Sequence, residues 1–295
     1  MSMASSYHEE YEDLIPKVDL GRQIDEIAGK TGVIDEFWED RVLAMASLPE
    51  LMLDFEPRLF CARISKLKSC FILQLKDLRC SVVKEICSIL CQLSEYGTEH
   101  FQFMAESVLP SLLKLLASSK VMAGHANQCI EQLIRFSFSP RSFLLILDST
   151  KHKSNSLRTH VHNYILQVVQ DPTQKEIIDK QKRKLLDVLR SALEDSIASI
   201  RNVGIHLFWC LYSLYTPQVK RVLASLSERK QKTLLAAKPA HLALDSDTTT
   251  SKASARTTTV RPHVQQSAKK SLVADSALSS RRNQDRNPTA LFSRM

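Results

Sequence analysis

The chain has 295 residues, a formal net charge of +8 and 44% hydrophobic residues, enough for a sizeable core in one large domain or two. Only six glycines occur, which argues against a Gly-rich phosphate-binding fold and against sheets closed by Gly-rich hairpins. The basic balance favours an acidic partner without choosing among nucleic acid, an anionic membrane and an acidic protein surface.

Residues 1–19 read as a polar N-terminal extension. Its acidic start has no basic stretch leading into an apolar core, so no signal peptide is expected. Nowhere do about eighteen apolar residues run together, as a membrane-spanning helix needs. The expectation is a soluble intracellular protein. Cys61, Cys70, Cys80, Cys87, Cys91, Cys129 and Cys210 contain no Cys-x-x-Cys pair and read as reduced, buried thiols.

From Leu20 to Ala237 apolar residues recur at helical spacing, in segments of roughly 12 to 20 residues. Val82, Val83, Ile86, Leu90 and Leu93 form one stripe. Phe101, Met104, Val108, Leu109, Leu112, Leu113 and Leu116 form the next, and Ile177, Leu185, Leu186, Val188, Leu189 and Leu193 a later one. Breaks fall at Pro49 and Pro57, Gly97-Thr98, Ser139-Pro140, Asp171-Pro172-Thr173 and Thr216-Pro217. Ser139, Asp171 and Thr216 are placed to cap the helix that follows. These breaks recur about every 40 residues, the period of HEAT-like helix pairs. Shorter breaks at Lys76-Asp77, Ser118-Ser119, Lys153-Asn155 and Glu194-Asp195 divide each interval in two. The expected fold is all-α: a HEAT-repeat solenoid over 20–237 made of five to six antiparallel helix pairs.

Beyond Lys238 the composition turns to Ser, Thr, Lys and Arg, with Phe292 the only aromatic. Residues 238–295 cannot bury enough apolar surface to offset the entropy of ordering, so a disordered basic tail is expected.

The loop sequences resemble those of the CLASP-type TOG domain, a HEAT-repeat paddle. The first is Phe37-Trp38-Glu39-Asp40-Arg41-Val42, a Trp followed three residues later by Arg. The second, from Leu75 to Glu85, contains Lys76, Asp77 and Arg79; the third is Ser119-Lys120-Val121-Met122-Ala123. Lys153 to Arg158 and Asp195 to Arg201 are similar to the fourth and fifth loops, and Ser227 to Leu235 to the last helix. The matches keep the family's order and cover nearly the whole solenoid. At the fourth loop Thr159 and His160 stand where the family has further basic residues, and at the fifth Ile205 stands for an Arg. These departures shift the weight to the first three loops. The tail has no Ser-x-Ile-Pro motif.

The resemblance implies a tubulin-binding module that engages the heterodimer or the microtubule lattice through one loop edge and regulates microtubule dynamics. It places the protein in the cytoplasm on microtubules, including those of a spindle or cilium. The implied contacts are Trp38, Arg41, Lys76, Asp77, Arg79, Lys120, Val121, Met122, Lys153, Arg158 and Arg201. An aromatic anchor followed by a row of cations is the composition of an interface hot spot and suits an acidic protein partner. Each residue also has an ordinary reading. Trp38 can pack inward against Val42, Lys76 and Arg79 can be an exposed helix start, and Lys120, Arg158 and Arg201 can be solvated charges. Trp209, inside an apolar run, reads as core.

No enzyme, cofactor, metal site, small-molecule substrate or membrane partner is legible. His160 and His162 point to different faces, and Cys87 and Cys91 lack a third ligand. The alternative function is a scaffold that binds another protein through its helical faces, with the tail as a localisation arm. Nucleic-acid binding ranks third, for want of interleaved aromatics. Monomer is the default state.

Overall fold

Side chains that satisfy the free amides of the first turn set several helix starts. Asp19 accepts the Arg22 N–H at 3.2 Å, Ser119 that of Met122 at 3.4 Å, Ser139 that of Ser142 at 3.0 Å and Ser154 that of Leu157 at 3.4 Å. Pro57, Pro140 and Pro217 lie in first turns, where a missing N–H costs little. Thr216 is a correction: it is the first residue of its helix, not the cap, and its hydroxyl donates back to the Tyr212 carbonyl at 2.7 Å.

The computed structural model describes residues 19–34 and 37–239. Among these are the helices α1 (Leu20–Thr31), α2 (Trp38–Ala46), α3 (Leu48–Leu51), α4 (Pro57–Ile64), α5 (Lys68–Gln74), α6 (Cys80–Gly97) and α7 (Gln102–Leu115). They continue with α8 (Lys120–Phe136), α9 (Pro140–Asp148), α10 (Asn155–Gln170), α11 (Lys175–Glu194), α12 (Ala198–Leu214), α13 (Thr216–Ala224) and α14 (Glu228–Ala236). The described residues contain no strand.

The helices stack in two layers. In one, α2 packs on α6, α6 on α8, α8 on α10 and α10 on α12; in the other α1, α4–α5, α7, α9, α11 and α13 follow one another. This is the expected all-α HEAT-repeat solenoid: five pairs, α1/α2, α4–α5/α6, α7/α8, α9/α10 and α11/α12, continued by α13 and α14. The first helix of the second pair is broken by a 3-10 turn, Ser65–Leu67.

The core runs between the layers. Val82, Val83, Ile86, Leu90 and Leu93 are buried, as are all seven residues of the stripe from Phe101 to Leu116. In α11 the register differs from expectation, with Ile178 buried and Ile177 and Leu186 only half-buried. At the end of α6 the chain comes too close for a side chain. A Cβ on Gly97 would lie 2.5 Å from Cys61 Sγ and 3.0 Å from Phe101 Cβ, and Thr98 follows at a positive φ of 44°. Trp209 is core, as expected. The cysteines divide: Cys61, Cys70, Cys87 and Cys129 are buried, Cys91 and Cys210 half-buried, and Cys80, the first residue of α6, is exposed.

The acidic start of the extension, Glu9-Glu10, and the basic tail beyond Pro239 lie outside the described residues. None of the described helices is long and apolar enough to cross a membrane.

Candidate functional site

Within each pair a short connection joins the two helices; its described residues are 32–34 and 37 in the first pair, then 75–79, 116–119, 152–154 and 195–197. Three of the four adjacent loop pairs are tied by side-chain bonds. Gln74, fully buried at the end of α5, donates its amide to the Thr31 and Val33 carbonyls at 2.8 and 3.1 Å, joining the second loop to the first. A shallow hollow lined by Leu75, Lys76, Ser111, Lys114 and Leu115 sets the second loop beside the end of α7, where the third begins. Ser156 donates to the Leu116 carbonyl at 3.1 Å, joining third to fourth, and Arg158 reaches Asp195 at 3.3 Å, joining fourth to fifth.

Two of these ties share one design. Arg41, in the first turn of α2, donates Nη2 to Asp77 Oδ2 at 2.9 Å and Nη1 to the Gln74 amide oxygen, and both Arg41 and Asp77 are buried. Asp77 also accepts the Arg79 backbone N–H at 2.9 Å, which turns the chain into α6. Arg158, in the first turn of α10, repeats this on Asp195, which accepts the Ile197 N–H at 2.9 Å. Burial raises the pKa of either carboxyl. For both, that push is outweighed by the backbone N–H and the guanidinium groups, so each stays below the usual carboxylate range. His162, on α10, is buried with Nδ1 2.7 Å from the Arg158 carbonyl, and burial pushes its pKa below 6.5.

This geometry corrects part of the expected contact set. Arg41 and Asp77 face inward on each other, because a paired charge keeps its hydrogen bonds when buried, so neither offers a surface contact. Arg158 and Arg201 are no solvated cations either. Arg158 is held by Asp195 and the His152 carbonyl, and Arg201 donates to the Asp195 and Ser196 carbonyls at 2.8 and 2.7 Å. Trp38 and Met122 are half-buried against the core. Lys76, Arg79, Lys120, Val121 and Lys153 are exposed, with Arg79 also 3.4 Å from Asp77.

Sequence reasoning named Val121 for the edge but missed the exposed apolar side chains of the first two loops. Val33, Ile34 and Phe37 (61% exposed) line the first loop, Leu78 (92% exposed) tips the second, and Val121 (56% exposed) follows the third in the first turn of α8. Exposed apolar side chains at three successive loops, with lysine or arginine beside them at the second and third, are what a protein-binding strip presents. A signal for Leu78 was available: it sits between Asp77 and Arg79 in a five-residue turn too short to bury it.

Residues 44–235 match the family model described as CLASP N terminal. The chain belongs to that family. The match starts beyond Trp38 and Arg41, so the first loop lies outside it. CLIP-associating protein 1 of Xenopus tropicalis is 26% identical over 200 residues, covering 67% of this chain and 14% of the relative. Protein CLASP-3 of Caenorhabditis elegans is 24% identical over 223 residues, covering 74% and 22%. The chain thus spans under a quarter of the length of these CLASP relatives. Among solved structures, the MAST/Orbit N-terminal domain has a TM-score of 0.53 at 15% identity, covering 74% of this chain and 96% of its own. A TOG-domain array of microtubule polymerases, described for tubulin recruitment and assembly, has a TM-score of 0.55 at 15% identity, covering 79% and 50%. These likenesses establish the TOG-type fold of this CLASP-family chain.

Proposed function

We propose that residues 20–237 form a tubulin-binding domain that engages the tubulin heterodimer or the microtubule lattice through its loop edge and so regulates microtubule dynamics in the cytoplasm. The single observation that carries this reading is the exposed apolar series Phe37, Leu78 and Val121 at three successive loops, with Lys76 and Arg79 beside Leu78, Lys120 beside Val121, and the first two loops joined by buried bonds. Apolar side chains on a fixed frame supply affinity, because little side-chain or loop entropy is lost on docking. The cations supply encounter rate and register against an acidic partner. Family membership and the TOG-type fold direct the choice of that partner to tubulin. Arg41, Asp77, Arg158 and Arg201 serve as positioning groups, and Trp38 and Met122 as the apolar support beneath the edge.

Preference for one curvature of tubulin is how such a domain shifts polymer dynamics, since only differential affinity moves an equilibrium. The basic residues beyond Lys238 add a weak, salt-sensitive attraction that prolongs residence on an acidic lattice. Co-sedimentation of the chain with stabilised microtubules, paired with gel filtration against free tubulin, tests the reading. Binding to either form at physiological salt supports it; binding to neither overturns it. A chain lacking residues 240–295 is expected to bind the lattice more weakly, most visibly at low salt.

A further inference from the structure

At the C-terminal end of the described solenoid a groove of about 930 Å³ runs along α12, lined by Ile205, Trp209 and Leu214 of that helix and by Ile178 of α11. Two features mark it as a site without its occupant. Trp209 is buried, yet its indole Nε1 has no acceptor among the described residues, and an N–H buried without a partner costs free energy that a docked carbonyl would recover. Leu214, at the end of α12, is 41% exposed.

The last described residues of the chain lie on this groove. Ala237 and Pro239 both form part of its wall, after α14 ends at Ala236. Pro239 stops the helix from continuing and biases Lys238 toward an extended backbone. The next residues are Ala240, His241, Leu242, Ala243 and Leu244, before the composition turns to Asp, Ser and Thr. In an extended chain Leu242 and Leu244 share one side, and at about 3.3 Å per residue both lie within about 17 Å of Pro239.

We propose that the groove is the docking site of this chain's own residues 240–244, with Leu242 and Leu244 against the apolar wall that ends at Leu214 and a backbone carbonyl accepting from Trp209 Nε1. The docked segment then covers apolar surface of α12 that α13 and α14 leave exposed, Leu214 included. The proposal is independent of what the loop edge binds.

The test uses the full chain carrying Trp38→Phe, so that Trp209 is the only tryptophan. Hydrogen exchange of residues 240–246 and acrylamide quenching of Trp209 are measured with and without Leu242→Asp/Leu244→Asp, and again with Leu214→Asp from the groove side. The expected result is exchange at 240–246 slowed at least about tenfold, lost in either variant together with the shielding of Trp209, with helicity unchanged. Unprotected exchange at 240–246, or quenching that the tail variant leaves unaltered, overturns the proposal. Protection that disappears on dilution, with a dimeric mass at high concentration, assigns the groove to a second copy and overturns it too.

Discussion

Arg41 and Asp77, 36 residues apart in the chain, meet at 2.9 Å with their side chains 2% and 1% exposed, so the first two loops of the edge are fixed by a charge pair that water does not reach. Arg158 and Asp195, 37 residues apart, repeat the arrangement at the far end at 3.3 Å with both side chains 16% exposed. The solenoid period brings the first turn of one pair's second helix against the loop of the next pair.

Arg41→Ala therefore leaves the buried Asp77 carboxylate with only the half-exposed Arg79, 3.4 Å away, as its charged partner, and the expected loss of stability approaches the ~3–5 kcal/mol of a broken buried pair. Arg158→Ala, at the wetter pair, is expected to cost about 1–3 kcal/mol. Urea unfolding followed by circular dichroism ranks the two; an Arg41→Ala loss no larger than that of Arg158→Ala would show that burial does not set the scale.

Stability is expected to fall with pH in two stages. His162 is held below its ordinary value of 6.5, so below that pH the unfolded chain takes up a proton the folded chain refuses. The slope is at most about 1.4 kcal/mol per pH unit and levels off below the folded value. Asp77 and Asp195, both held low, add a second decline below about pH 4, the ordinary carboxylate value, as the unfolded chain protonates first. Urea melts from pH 7.5 to 4.5 on wild type and His162→Gln check the first stage, which the variant is expected to lose.

Gly97→Ala places a methyl 2.5 Å from Cys61 Sγ, in a site where burial already pushes the thiol up to about 11. Overpacking of this kind costs about 1–3 kcal/mol. Combining it with Cys61→Ala is expected to recover part of the loss relative to the sum of the single changes, read as a coupling energy in a double-mutant cycle.

Lys76→Ala and Lys120→Ala are expected to slow association with tubulin and to flatten its salt dependence while leaving unfolding midpoints within about 0.5 kcal/mol of wild type. Stopped-flow association at two ionic strengths measures this.

The helix pairs were legible because an apolar stripe in α6 or α7 repeats at helical spacing whatever it packs on, and because Ser139-Pro140 and Ser119 mark starts by local chemistry. The breaks at Lys76-Asp77, Ser118-Ser119 and Glu194-Asp195 also fell where the loops are. What local pattern did not carry was the side on which a polar residue ends. Arg41 follows Trp38 by three residues and so shares its face, but its burial is decided by Asp77 and Gln74, which only the fold brings near. Arg158 and Arg201 were read as surface cations for the same reason. Phe37 and Leu78 stayed hidden because an apolar residue in a turn has no helical register to say whether it faces core or solvent.

The measurement that tests the central claim most directly is tubulin binding by a Phe37→Ala/Leu78→Ala double variant, by gel filtration and co-sedimentation beside wild type. Both side chains are exposed, so the fold and its melting curve should be unchanged, and affinity should fall about 30-fold or more. Wild-type affinity in the folded double variant would contradict the account and move the binding surface off the loop edge.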